Sequence, residues 1–88
     1  SAKIKVAGLG GAVTMVSLPT LAVGQDGQIV IVQGTDESAT VTLQSESVLP
    51  GSGLKLGVEQ RILGKGDILT LTFDADDKIW YEISYSNN

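Results

Sequence analysis

Turn signals recur along this chain about every 8 to 12 residues, and no window of about ten residues carries an apolar stripe of helical period. Gly8-Leu9-Gly10-Gly11, Asp26-Gly27, Pro50-Gly51 and Gly64-Lys65-Gly66-Asp67 are the clearest of these signals. The runs between them are short and alternate apolar with polar residues. Strands of that kind must bury one face against a second sheet, so the pattern predicts an all-β chain, a small antiparallel β-sandwich or jelly-roll-like domain. At 88 residues it is one domain.

Gln28-Ile29-Val30-Ile31-Val32-Gln33 is the strongest strand of the N-terminal half, apolar on both faces, so both faces are expected to be covered. Ala39-Thr40-Val41-Thr42-Leu43-Gln44 alternates strictly, with Ala39, Val41 and Leu43 inward, and is expected to form a hairpin with the preceding strand. Pro19 lacks a backbone donor and assigns Leu18-Pro19-Thr20-Leu21 to an edge or a connection. Ser45 to Gly53 reads as an irregular loop that returns Val48 and Leu49 to the core. The last two strands, Ile68 to Phe73 and Ile79 to Tyr85, are joined by Asp74-Ala75-Asp76-Asp77-Lys78 as a hairpin. Period two puts Leu69, Leu71 and Phe73 on the core face of the first, and Ile79, Tyr81, Ile83 and Tyr85 on the core face of the second.

Composition removes most chemistry. The chain has no cysteine and no histidine, so disulfides, thiol chemistry, histidine acid-base catalysis and cysteine or histidine metal sites are excluded. Asp67 with Glu59, or Glu46 with Glu82, are the carboxylate pairs a glycosidase reading would need, yet none sits in an apolar pocket motif. The glycine clusters neither open a helix nor end in Gly-Lys-Ser/Thr, and they read as turns. Asp74, Asp76 and Asp77 raise calcium, but Lys78 stands where a ligand is needed and Asp is a favoured turn residue, so the loop is expected to be a solvated turn. No catalytic residue, cofactor or metal is expected. A net charge of −4 and a pI near 4.4 argue against nucleic acid and anionic membranes as partners, and no apolar run is long enough for membrane insertion.

Two aromatic residues remain as candidate ligand or subunit contacts. On period two Trp80 faces away from Tyr81 and Tyr85, with Glu82, Ser84 and Ser86 beside it, where it would meet a second subunit, a second core or a ligand. Tyr85 is the second candidate, as part of an aromatic platform for sugar. With 42% apolar residues, 18% charged residues and no covalent staple, a domain this small is expected to gain stability by associating with copies of itself.

Four segments stand in a familiar order: Asp26-Gly27-Gln28-Ile29-Val30, Thr40-Val41-Thr42-Leu43, Gly66-Asp67-Ile68-Leu69-Thr70-Leu71-Thr72-Phe73-Asp74 and Trp80-Tyr81-Glu82-Ile83-Ser84. In that order they resemble the C-terminal β-rich domains of trimeric phage tail fibres, tailspikes and related virion appendages. The likeness covers residues 24 to 88, with Phe73 in place of a more usual Tyr and Tyr85 in place of a common Arg. It implies a homotrimeric, non-enzymatic structural module located in the virion, the C-terminal fragment of a longer chain, with attachment to a host-surface glycan or receptor as a further role. The alternative is a monomeric carbohydrate-binding module using Trp80 or Tyr85.

Overall fold

The computed structural model describes residues 2–88. Eight strands form two mixed sheets, and no helix occurs among the described residues. They are β1 (Ala2–Val6), β2 (Val13–Thr14), β3 (Ile29–Gly34), β4 (Val41–Gln44), β5 (Leu54–Lys55), β6 (Gln60–Leu63), β7 (Ile68–Asp74) and β8 (Ile79–Ser86). The larger sheet has the order β1-β3-β7-β8-β5 and the smaller the order β2-β4-β6.

The core lies between the sheets and is built from the alternation in the sequence. Val30 and Val32 of β3, Leu69, Leu71 and Phe73 of β7, and Trp80 of β8 face Val41 and Leu43 of β4 and Leu63 of β6. Leu54, Leu63, Leu69 and Leu71 are wholly enclosed. Pro19 lies in the connection between β2 and β3, after a cis Leu18-Pro19 bond, as its missing donor predicts.

The structure corrects the expected strand pairing, the expected place of Val48 and, third, the faces of β8. The pairing is not antiparallel throughout, since β1 with β3, β2 with β4, and β5 with β8 are parallel. Nor do β3 and β4 form a hairpin: β3 pairs with β7, and the chain crosses to the opposite sheet before β4 begins. Both strands point their apolar residues into the same core from opposite layers, which alternation alone cannot distinguish from a side-by-side pair. The crossing occurs at Gly34, whose N–H donates to Asp67 and whose carbonyl accepts from Gly66; a Cβ there would collide with the backbone of Leu63 and Gly64. Val48, expected in the core, is exposed, because Glu46 organises its loop by accepting from the N–H groups of Gly51 (3.2 Å) and Gly53 (2.6 Å).

The third correction concerns β8. Its ladder with β7 matches Phe73 to Trp80 and Leu71 to Glu82, then Thr70 to Ser84 and Leu69 to Tyr85, leaving Ile83 as an extra residue. Directly opposed residues share a face. Trp80, Glu82 and Tyr85 therefore lie on the side of Leu69, Leu71 and Phe73, while Tyr81 shares the outer face with Thr72. Ile83, assigned to the core by strict period two, is 55% exposed. The outer face of β3 is covered only in part, with Ile29 and Ile31 half-buried.

Leu71→Ala is expected to lower unfolding free energy by about 2 to 5 kcal/mol, as core truncations do. Ile83→Ala should change it by about 0.5 kcal/mol or less, as exposed positions do. Denaturant melts of the two variants test the assignment, and an equal loss for both would overturn it.

Candidate functional site

Trp80 is enclosed within the subunit. Its ring packs edge-on against Phe73, with centroids 5.0 Å apart at 62°, and its Nε1–H donates to the Ala22 carbonyl at 3.1 Å. At 4% exposure the side chain is core, and the indole ties the 15–24 connection to the body of the domain. Gly24 lies against the indole, where a Cβ would come within 2.8 Å of the ring.

Tyr85 sits differently. It is half-buried, its hydroxyl donates to the Ile62 carbonyl at 3.3 Å, and the Arg61 guanidinium carbon lies 4.3 Å from its ring centroid. Burial pushes the Tyr85 phenol above its ordinary value, with the nearby Asp67 carboxylate adding to the shift. Arg61 also grips Glu82 with both prongs of its fork, Nε to Oε1 and Nη2 to Oε2, each at 2.8 Å. Glu82 lies on the inward face two residues after Trp80, and the bulge that follows it brings Tyr85 to the same face. Hydrogen bonding from Arg61 holds the Glu82 carboxyl below its ordinary value, and the same bond raises Arg61. Sequence reasoning missed this pair, since β6 and β8 belong to different sheets.

Beside Tyr85 lies an open polar cleft of about 440 Å³, lined by Glu37, Thr40, Gln60, Arg61, Asp67 and Asn87 among others. Asp67 is held in place there by the N–H groups of Gly64 and Asn88, both at 2.8 Å. Thus Asp67, Glu46 and Glu82, three of the carboxylates that acid-base pairing would draw on, are engaged in bonds that shape the fold.

The acidic hairpin loop is organised as a turn. Asp74 Oδ1 accepts from the N–H groups of Asp76 (2.9 Å) and Asp77 (3.1 Å), and the Tyr81 hydroxyl donates to Asp77 Oδ2 at 2.6 Å. That bond raises the Tyr81 phenol above its ordinary value. Lys78 takes a left-handed conformation, φ 57°, to close the loop. No cluster of three acidic side chains with metal-binding geometry occurs among the described residues.

The second concave feature is apolar. A groove of about 400 Å³ opens between β1 of the larger sheet and β2 of the smaller, reaching down to Val32, Val41 and Leu43, with Met15 and Leu21 on its walls. A neighbouring recess of about 200 Å³ continues it past Ile4 and Leu21 towards Val30 and Trp80. Val32, Val41 and Leu43 at its floor are themselves buried, while Val6, Val13, Met15 and Leu21 around it are half-buried. No family model, curated protein or solved structure matches the chain.

Two measurements follow. Folding lowers the Glu82 pKa, so its contribution to stability is complete above the ordinary value of 4.5 and is lost as pH falls through the lowered native value. Glu82→Gln should cost about 1 to 3 kcal/mol at neutral pH and flatten the stability profile in the acid range below that ordinary value. Denaturant melts from pH 7 to pH 3 check both. Millimolar calcium should leave the melting temperature within about 1 °C, because a ligand stabilises only as its concentration exceeds its dissociation constant. A rise of several degrees, abolished by the joint replacement Asp76→Asn and Asp77→Asn, would make the loop a metal site.

Proposed function

We propose that this chain is a non-enzymatic structural module that assembles as a homotrimer within a viral or phage fibre or spike, each subunit a small β-sandwich. One observation carries the reading: the apolar groove of about 400 Å³ between β1 and β2, which a single subunit leaves open beside its core. A domain of 88 residues without covalent staples has little stability margin, and covering this opening with another subunit adds burial that the isolated chain lacks. The half-buried Ile29 and Ile31 on the outer face of β3 add further apolar surface for such contacts. The ordered resemblance over residues 24 to 88 supports the threefold state, the virion location and a role in host attachment.

A second reading, a monomeric carbohydrate-binding module, draws support from the polar cleft at Tyr85, where hydroxyl and amide groups surround an aromatic ring. Trp80 contributes nothing to it, being enclosed. Light scattering after size exclusion, at micromolar concentration, separates the two. A single species at three times the 9.2 kDa subunit mass is expected, and a stable folded monomer would overturn the assembly and favour the module.

A further inference from the structure

Residues Val6 to Gln25 form a run of twenty without a single charged side chain. In the fold this run wraps the mouth of the apolar groove, supplying Val6, Leu9, Val13, Met15 and Leu21 to its lining. Among the described residues, Leu9, Val16, Leu18 and Val23 of this run are exposed large hydrophobics, and Ile4 lies just before it. Leu9 is 97% exposed, held at the tip of the Gly8-Leu9-Gly10-Gly11 turn on the rim of a groove that it does not fill. Depletion of charge and a concentration of exposed apolar side chains distinguish the centre of a protein contact from ordinary surface.

Charge returns only at the margins, and with opposite signs. Lys3 and Lys5 stand on the edge strand β1 beside the groove, opposite Ile31 and Gln33 on the outer face of the larger sheet, and form no ion pair among the described residues. Asp26, at the other end of the run, is joined to the acidic hairpin loop by the Ala75 N–H, which donates to its Oδ1 at 3.0 Å, so Asp26, Asp74, Asp76 and Asp77 make one negative end. A surface with a protruding leucine, an apolar groove, a basic edge and an acidic end is complementary to a copy of itself. If Leu9 of each subunit enters the groove of the next in a single rotational sense, the contact is head-to-tail and closes into a ring when the rotation is threefold.

We infer that this uncharged mouth is the docking surface for a second copy of the chain, with Leu9 of one subunit entering the groove of the next and Lys3 and Lys5 facing the acidic end of its neighbour. The inference rests on the proposed trimer and specifies its contact. Leu9 is exposed in the single subunit, so its replacement tests assembly without disturbing the core.

Sedimentation equilibrium over a concentration series, with far-UV circular dichroism to follow the fold, compares the unmodified chain with Leu9→Asp, Leu9→Ser, the pair Lys3→Glu and Lys5→Glu, and Ile83→Asp. Leu9→Asp is expected to raise the concentration at which the trimer dissociates at least tenfold with the β signal unchanged. Leu9→Ser and the lysine pair should shift it in the same direction, and Ile83→Asp, exposed but on β8 away from the mouth, should leave it in place. Should Leu9→Asp lose its β signal, Leu9→Ser decides. A trimer indifferent to the Leu9 variants overturns this contact while leaving the trimer standing, whether or not Ile83→Asp dissociates it. A monomeric unmodified chain overturns both.

Discussion

The fold depends on the burial of β7. That strand lies between β3 and β8, antiparallel to both, and its inward residues Leu69, Leu71 and Phe73 have almost no contact with water. With no disulfide available, hydrophobic burial is the main source of cohesion, and this strand carries the longest ladder, with β8, a second ladder with β3, and the contact with the opposite sheet. Val30 and Val32 flank it on one side, Trp80 on the other, and Val41, Leu43 and Leu63 cover it from the smaller sheet. The N-terminal strands are added at the periphery: β1 is an edge of one sheet, β2 of the other, and most of β1 is exposed.

A single extra residue in β8 then determines what the C-terminal strand can do. With Ile83 bulged out, Trp80, Glu82 and Tyr85 all turn inward, where strict alternation would have divided them. Trp80 closes the core, Glu82 meets Arg61 across the gap between sheets, and Tyr85 receives the other side of the same guanidinium. Arg61 thereby fastens β6 to β8 through one carboxylate and one ring. This side of the domain is closed by polar bonds.

The opposite side has no such fastening. Between β1 and β2 lies an apolar groove, and the chain from Val6 to Gln25 beside it carries no charge. The polar closure on one side and the apolar groove on the other leave the groove side as the surface that gains most from being covered. The same asymmetry separates two kinds of surface: the polar cleft at Tyr85 is fitted for hydrogen-bonding ligands, and the groove for another apolar surface.

Local pattern alone determined the all-β class, the inward faces of β4 and β7, the final hairpin and its acidic turn, and the place of Pro19 in a connection. Each of these follows from side-chain alternation and turn chemistry, which act over a few residues. Three features were decided by tertiary structure. The layer to which β4 belongs is invisible to alternation, because inward is the same direction for a partner strand and for a facing one. The orientation of Tyr85 and Ile83 relative to Trp80 turned on a bulge that shifts the period by one residue, and its position is set by the pairing of β8 with β7. The Arg61–Glu82 pair joins residues twenty-one apart in separate sheets, and the groove lies between strands of both sheets. The uncharged run from Val6 to Gln25 was legible from the start, but its meaning was not: a charge-free stretch is equally suited to a core and to an interface, and only the fold shows that its leucine stands in water.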